Sequence, residues 1–398
     1  MDEKTQADPG SGAEEPVEDA GRGPQEPVEA PDVGAGVEAD EMPRVHITRH
    51  QAIVFGLFVA SAIAFLYFVL PKLAGLKETA AKLDRADPTW LVAAAVLEAI
   101  SFGGYIMLFR AVFVRGDSRI NWRESYEITM AGLAASRLFA AAGSGGIALT
   151  AWALRRSGME ARIVACRMIA FLALLYAVYM SALVVGGVGL RTGVLPGGGG
   201  FAITIIPATF GAVAILAMLA MSLLPQDVER RLEAWAQGGR RGARLVARAV
   251  KAPAMVASGV RTAISLLRAR EIGTLGALVW WGFDIAVLWA AFHAFGTPPP
   301  FPVSVMSSFV GMLANVLPLP GGIGGVDGGM IGSLIAFGVD GSLAVLAVLT
   351  YRAFAFWLPT VPGAVAYLQL RRTVHRWRDE IEPDSRSGPQ ETSNPVHA

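Results

Sequence analysis

The chain has 398 residues, of which 53% are hydrophobic and 17% charged, and its mean hydropathy is +0.47. This composition excludes an ordinary soluble protein and indicates a multi-span membrane protein. The single cysteine, Cys166, excludes an internal disulfide and a cysteine-cluster metal site, and the net charge of +1 combines −9 before Gln51 with +10 after it.

The hydropathy pattern predicts an all-α polytopic membrane domain over residues 50–375, with about eight membrane elements. It lies between an acidic tail, 1–49, and a second polar tail, 376–398, whose compositions predict disorder. Six stretches are apolar and long enough to span a bilayer as helices. They are Ala52–Leu70, Leu91–Phe109, Ile163–Leu190, Phe201–Leu224, Ile272–Phe295 and Leu343–Leu370.

Two further apolar segments are interrupted by glycine and proline. Tyr126–Leu154 breaks at Gly143–Gly146, and Val303–Phe337 breaks at Pro318–Gly325. Irregular backbone inside a membrane survives only where protein or a water-filled cavity surrounds it. We therefore expect two re-entrant hairpins of half-helices, and the second break, which contains Asp327, is typical of a transporter binding site.

Lysine and arginine cluster in alternate loops. The largest cluster, 226–270, has ten bases against three acids and is predicted to form interfacial helices on anionic lipid. Placing the clusters on one side puts both termini in the cytoplasm and the protein in the cell membrane. The order span, span, hairpin, span then occurs twice with opposite orientation, which predicts an inverted repeat. Two unrelated glycine-rich breaks remain the alternative.

The charged candidates each have a structural and a functional interpretation. Asp327 is either an N-cap of the following half-helix or part of a polar substrate site. Arg167 and Arg352, each within a span, either form structural ion pairs or contact a phosphate. Arg137, near the first break, is a further substrate-site candidate. Asp284 and Glu98 lie in mid-span and either couple transport to protons or pair structurally.

Glycines of the second break complete the predicted substrate site. They permit the close approach of another backbone or of a lipid headgroup. The glycines concerned are Gly321, Gly322, Gly324 and Gly325.

The same run carries a family resemblance. Pro318-Leu-Pro-Gly-Gly-Ile-Gly-Gly-Val-Asp327, followed by Gly338, Tyr351-Arg352 and Pro362-Gly363, resembles the flippase-like transmembrane region of lysylphosphatidylglycerol synthases. Gly145-Gly146, Leu154–Gly158 and Arg167 resemble the first half of that region, so the match covers roughly residues 50–375. The family often has Glu where Asp327 stands. The resemblance implies lipid translocation, and because no aminoacyl-transferase domain follows, it argues against lipid aminoacylation.

We therefore expect a transporter that moves a phosphate-bearing lipid headgroup and whose partners are membrane lipids, such as an anionic phospholipid or a lipid-linked headgroup. The alternative is a proton-coupled secondary transporter of small solutes. An intramembrane enzyme based on Ser144 and His293 is disfavoured, because the glycines around Ser144 do not match a nucleophile turn. We expect no catalytic residue, no cofactor, no metal and no nucleic-acid partner. The chain also lacks a phosphate-binding loop for direct ATP use.

Overall fold

The structure, a computed structural model, describes residues 86–116, 118–138, 144–223, 241–313 and 324–381. Within these residues it is helical and contains no strand. The helices are α1 (Pro88–Phe113), α2 (Trp122–Leu138), α3 (Ser144–Arg156), α4 (Ala161–Thr192), α5 (Phe201–Ser222), α6 (Arg241–Arg268), α7 (Gly276–Phe295), α8 (Phe301–Leu313), α9 (Gly325–Ala336), α10 (Gly341–Arg352) and α11 (Thr360–Ile381).

Local sequence sets several of these helix boundaries. Asp87 caps α1 by accepting the Thr89 N–H at 2.9 Å, and Pro88 occupies the first turn, where a missing N–H costs nothing. Asp340 caps α10 in the same way, accepting the Leu343 N–H at 3.0 Å. These caps satisfy backbone N–H groups in the first turn, which have no acceptor within the helix itself.

Five helical stretches are long and apolar enough to cross a membrane, which confirms the predicted all-α membrane fold. They are Pro88–Phe113, Ala161–Thr192, Phe201–Ser222, Ile272–Phe295 and Gly341–Trp377. Each contains or closely matches a predicted span, whereas the predicted span Ala52–Leu70 and the acidic tail lie outside the described residues. The helix α11 continues to Ile381, six residues beyond the predicted end of the membrane domain.

The two interrupted segments each form a pair of short helices. The half-helices α2, α3, α8 and α9 have 17, 13, 13 and 12 residues. At 1.5 Å per residue they are about 18–26 Å long, shorter than the roughly 30 Å hydrocarbon core. Each pair packs through glycines, since a Cβ on Gly146 would overlap the Gly132 carbonyl and one on Gly329 would lie 3.0 Å from the Gly311 Cα.

One end of the bundle carries most of the described basic side chains, and we call it the basic end. The Arg110 guanidinium donates to Ser125 Oγ at 3.0 Å, and the Arg167 guanidinium donates to the Phe113 carbonyl at 2.9 Å. These contacts bring together the end of α1 and the beginnings of α2 and α4. The basic end also carries Arg115, Arg119, Arg123, Arg155, Arg156, Arg162, Arg268, Arg270, Arg371, Arg372 and Arg376.

The opposite end joins the beginning of α1, the end of α7 and the open ends of α8 and α9. The Asp87 N–H donates to the Ala294 carbonyl at 2.9 Å. A Cβ on Gly199 would lie 2.6 Å from the Phe337 ring, so the loop before α5 lies against the end of α9. The hairpin of α2 and α3 therefore opens at the basic end, and the hairpin of α8 and α9 opens at the opposite end.

The helix packing relates the two halves of the chain. The two spans that precede the hairpins, α1 and α7, pack antiparallel along their length. The first hairpin packs its helix α2 against α11, and the second packs α8 against α4. If the two halves of the chain were exchanged, the pair α2–α11 and the pair α8–α4 would take each other's places. The inverted repeat itself and the count of eight membrane elements stay predictions.

The helix α6 lies within the predicted basic loop 226–270. Ala257, Val260, Ala263 and Leu266 are buried, and Gly259 lies against Ile169 of α4. In the sequence, Val256, Val260, Ile264 and Leu267 recur at helical spacing, which predicts an apolar stripe toward lipid. The buried stripe is rotated from these positions because α6 packs on α4 and α5.

Candidate functional site

Five polar side chains lie at a similar depth inside the bundle, and we call them the mid-depth polar layer. The depth of a residue is its distance along the sequence from the end of its own helix that lies at the opposite end of the bundle. It is ten residues for Glu98, eleven for Asp284, nine for Asp327, ten for Tyr351 and eleven for Arg352. At 1.5 Å per residue these depths are about 14–17 Å, near half of a roughly 30 Å hydrocarbon core.

Asp327 and Arg352 form an ion pair at the tip of the second hairpin. The Arg352 Nε donates to one carboxylate oxygen of Asp327, and the other oxygen accepts the Gly324 N–H at 3.2 Å. Gly324 has φ +84°, a left-handed conformation that glycine adopts without strain. The N-cap residue of α9 is Gly324 and not Asp327, which instead bonds back to the Gly324 N–H from the third position of the helix and pairs with an intramembrane arginine. Its part in a substrate site stays a prediction.

This ion pair is only partly buried. The side chains of Arg352 and Asp327 are 15% and 18% exposed. Charged groups in a membrane domain are costly unless they are paired or hydrated, and this pair is accessible enough to be both. Both side chains therefore keep a small part of their surface accessible.

A π-helical turn, Ala353–Trp357, follows Arg352 directly. The Leu358 N–H bonds to the Ala353 carbonyl at 2.9 Å, and Pro359, which has no N–H, follows. Such turns occur inside α-helices mostly as single insertions, often at functional sites. This turn places Phe356 so that its ring centroid lies 5.3 Å from the Arg352 Cζ, a cation–π contact.

A second contact in the layer involves Asp284. The Tyr351 hydroxyl donates to the Asp284 carboxylate at 2.9 Å, and both side chains are buried. Glu98 of α1, which is 2% exposed, lies at the same depth. Because Tyr351 and Arg352 are consecutive, α10 joins the Asp327 ion pair to the buried Asp284 carboxylate of α7.

The remaining predicted site residues are not joined to this layer. Arg167 lies six residues from the beginning of α4, about 9 Å from the basic end. It bonds to the Phe113 carbonyl, and Phe113 belongs to a different hydrophobic cluster from Tyr351. The helix α2 includes Arg137, but its side chain lies outside the described residues, as do Gly321 and Gly322. Gly325 begins α9, next to the Asp327 pair.

His293 lies near the opposite end and not in the layer. Its ring stacks on Trp90 with a centroid distance of 4.1 Å, and its Nδ1 is 3.0 Å from the Trp289 carbonyl oxygen. Ser144 begins α3, and its side chain is outside the described residues. Among the residues that the structure describes, no three His, Cys, Asp or Glu side chains are placed to bind a metal ion.

Two side chains of the site, Tyr351 and Phe356, were not predicted from the sequence. Tyr351 appeared only as part of the family resemblance, and Phe356 was not considered. Their signal was present, since Phe356 follows Arg352 by four residues and Pro359 marks an interruption of the helix. The arrangement can bind an oxyanion, because Arg352, the N–H groups that begin α9 and the helix dipole all favour negative charge.

Comparison with known proteins shows the same family along most of the chain. The lysylphosphatidylglycerol synthase transmembrane region matches residues 53–363. A protein named UPF0104 membrane protein from Methanothermobacter thermautotrophicus is 23% identical over 334 residues, which cover 80% of this chain and 95% of the relative.

Two shorter matches carry the same name and come from the same organism. They are 33% identical over 90 residues, covering 22% of this chain and 27% of the relative, and 31% identical over 109 residues, covering 27% and 31%. In these two alignments the chain spans less than a third of the relative. The match over residues 53–363 places the whole mid-depth polar layer inside the shared region. The chain belongs to the family of the lysylphosphatidylglycerol synthase transmembrane region.

Proposed function

We propose that this protein transports a lipid across the cytoplasmic membrane and that its site binds the phosphate of the lipid headgroup. The observation that carries the proposal is the partly exposed Arg352 at mid-depth, beside the beginning of the half-helix α9. A guanidinium and a helix N-terminus are both suited to phosphate, and mid-depth is where transporters with broken helices bind substrate.

Asp327 holds the arginine when no substrate is bound. A phosphate that approaches Arg352 competes with the Asp327 carboxylate for the same guanidinium, and leaves Asp327 bonded to the Gly324 N–H. Return of Asp327 to Arg352 then displaces the phosphate. Substrate release is thereby favoured by an internal anion, which prevents the site from retaining the lipid.

The predicted inverted repeat supplies the movement. Hairpins that open at opposite ends of the bundle would let one half rock against the other around a central site. In this proposal both hairpins are re-entrant, the basic end and both termini face the cytoplasm, and the chain acts as a transporter and not as an enzyme. Its partners are anionic membrane lipids, and it binds no nucleic acid.

A second candidate, proton-coupled transport of a small solute, is favoured by one observation. Glu98 and Asp284 are buried carboxyls at the depth of the ion pair. Buried membrane carboxyls form the proton relays of many transporters. The site chemistry, an oxyanion at Arg352, is the same in both candidates, so the substrate must be tested directly.

Variants of the ion pair test the proposal. In proteoliposomes, Arg352→Gln and Asp327→Asn should each lower the rate of phospholipid movement about tenfold or more, since a charge-assisted contact contributes about 1.5–3 kcal/mol. The matched control is Asp340→Asn, a helix cap one helix further on, which should transport at nearly the wild-type rate.

Lipid binding separates this mechanism from a folding defect. Stabilisation of the purified protein by anionic phospholipid should decrease in Arg352→Gln, which loses the phosphate contact. It should increase in Asp327→Asn, which loses the competing carboxylate. Unchanged lipid stabilisation in both variants contradicts the proposal. Stabilisation by soluble phosphate alone, equal to that by phospholipid, supports the small-solute candidate instead.

A further inference from the structure

A cavity of about 450 Å³ opens at the basic end, between the end of α1, the beginning of α2 and the turn Ile272–Leu275 that precedes α7. We call it the basic-end cavity. The charged and aromatic residues that line it are Arg110, Arg115, Trp122 and Glu271. Along α1, Arg110 lies twelve residues, about 18 Å, from Glu98 of the mid-depth polar layer. The transport steps proposed above use none of these lining residues.

One wall of the basic-end cavity is a single face of α1. Four lining residues recur at intervals of three or four, so they share this face. They are Met107, Arg110, Ala111 and Val114. A Cβ on Gly273 would lie 2.5 Å from the Ala111 Cβ, so the turn before α7 lies directly against the same face. The wall is therefore apolar toward the bilayer interior and carries a guanidinium near the helix end.

The two arginines of the cavity keep N–H groups for a ligand. The Arg110 guanidinium donates to Ser125 Oγ at 3.0 Å, and the Arg115 Nε donates to the Ala111 carbonyl at 3.3 Å. Arg115 also pairs with Glu271, with 3.5 Å between Nη2 and Oε2, and both side chains are nearly half exposed. A guanidinium has more N–H groups than these contacts use, and its planar fork matches a phosphate.

Trp122 indicates that the cavity lies at the depth of lipid headgroups. Its ring centroid lies 4.1 Å from the Arg110 Cζ, and 65% of the residue is exposed. Tryptophan is enriched at membrane interfaces, where its apolar ring meets lipid and its N–H meets polar groups. Ile272 and Leu275, in the turn beside the cavity, are also exposed. Cationic groups with an apolar border are the surroundings that the headgroup of a membrane lipid needs.

The charges of the lining residues favour one further anion. Arg110 and Arg115 contribute two positive charges, and Glu271 contributes one negative charge. A headgroup with a phosphodiester and no other charge would bring the sum to zero, whereas a zwitterionic headgroup would leave it positive. From this geometry we propose that the basic-end cavity binds the headgroup phosphate of an anionic phospholipid, as a second lipid site separate from Arg352.

A lipid bound in this cavity contacts both halves of the chain. Its phosphate lies between Arg110 and Arg115, and its acyl chains follow the face of α1 toward Met107, about one turn deeper in the membrane. Glu271 competes with the phosphate for Arg115. Binding here requires no movement of lipid past Arg352, so the second site does not depend on the proposed transport.

Photo-crosslinking of the purified full chain locates the lipid. The probe is phosphatidylglycerol with a photoreactive group beside its headgroup, added in detergent micelles, and the labelled peptides are identified by mass spectrometry. Wild-type protein should be labelled in the segments 107–116 and 271–276. The double variant Arg110→Gln/Arg115→Gln should lose about tenfold or more of this labelling, because it loses two charge-assisted contacts. Wild-type protein without label in these segments would overturn the second site.

A charge-matched control separates a defined site from general attraction of anionic lipid to the basic end. Arg155→Gln/Arg371→Gln removes the same two charges from exposed arginines that do not line the cavity, and it should keep the labelling of both segments. Equal loss of label in the two double variants would overturn the site, since charge alone would then explain the binding.

Two competitors test the class of ligand. Unlabelled phosphatidylglycerol should displace the probe, and phosphatidylcholine, which is zwitterionic, should displace it about tenfold less effectively. Equal displacement by the two lipids would contradict the charge argument. Displacement by inorganic phosphate at the same concentrations as phosphatidylglycerol would replace the lipid by a free anion and overturn the assignment.

Glu271→Gln keeps the test decisive if the arginine variants do not fold. It removes the competing carboxylate from an exposed position and should increase the labelling about two- to fivefold. Unchanged or weaker labelling would contradict the proposed site. Labelling of the cavity should be the same in Arg352→Gln as in the wild type. A protein that is labelled here but moves no lipid would keep the second site and lose the proposed function.

Discussion

Arg352 and Tyr351 are consecutive residues that face different carboxylates. Arg352 contacts Asp327 at the hairpin tip, and Tyr351 contacts Asp284 in the bundle interior. A displacement of Arg352 toward a ligand would therefore also shift the position of the Tyr351 hydroxyl. At the scale of single residues, this adjacency links the partly exposed ion pair to the buried Asp284.

Tyr351→Phe tests that link. The variant removes the donor to Asp284 and leaves a buried carboxylate without this hydrogen bond, which should cost about 1–3 kcal/mol and lower the Tm. Tyr176→Phe is the control, because Tyr176 is 49% exposed and should change stability by at most about 0.5 kcal/mol. Equal Tm values for the two variants in detergent would show that the Tyr351 contact contributes nothing.

Part of the site was predictable from the sequence, residue by residue. Asp327 and Arg352 were recognised because isolated charges in apolar sequence are costly and need partners. The contact of Tyr351 with Asp284 was not recognised, since a tyrosine carries no such signal and its partner depends on how α10 rotates against α7. Arg167 looked equivalent to Arg352, but it lies nearer the basic end of its helix and contacts a backbone carbonyl.

Glycine determines how closely the helices pack. A Cβ on Gly276 would lie 2.6 Å from the Leu108 backbone nitrogen and closer still to the Gly104 carbonyl oxygen. The spans α1 and α7 can therefore approach closely only because these positions lack side chains. Glycines in the same way allow the two helices of each hairpin to pack closely.

Two glycines of α7 should respond oppositely to the same substitution. Gly276→Ala should destabilise the protein by about 1–3 kcal/mol through overpacking against α1. Gly282→Ala meets nothing within 4 Å and should stabilise the helix by about 0.5–1 kcal/mol. The Tm of each variant in the same detergent gives the sign of its change in stability. A stabilising Gly276→Ala would contradict the close packing of α1 and α7.

Helices were easier to predict than their interruptions. Hydropathy located each described span because about twenty apolar residues are needed to cross the bilayer. The π-helical turn after Arg352 was not predicted, because proline at 359 indicates that a helix is perturbed but not how its backbone adapts. The rotated stripe of α6 was missed for a related reason, since its helical partners were unknown.

At the scale of the whole molecule, most of the described basic side chains gather at one end. Phospholipid surfaces in the cytoplasmic leaflet are anionic, so this end is expected to face the cytoplasm. The fold class and family followed from composition and from the glycine-rich run. The relative placement of the two halves could not be predicted, because it depends on helix contacts that hydropathy does not encode.

Cysteine accessibility tests this orientation. In a Cys166→Ser background, Val194→Cys at the opposite end should react with an impermeant thiol reagent in intact cells, because Val194 is 80% exposed. Ala269→Cys at the basic end should react only after permeabilisation. The reverse pattern would invert the topology, and labelling of both positions from outside would contradict a single basic face.

The central claim is that a lipid phosphate is moved across the membrane through the Arg352 site. The most direct test is a headgroup-accessibility assay in proteoliposomes, in which a fluorescent anionic phospholipid is compared with a neutral glycolipid that lacks phosphate. The account predicts that the phospholipid crosses in the presence of wild-type protein, that the glycolipid does not, and that Arg352→Gln abolishes the difference. Equal movement of both lipids, or movement of neither alongside saturable uptake of soluble phosphate, would contradict it.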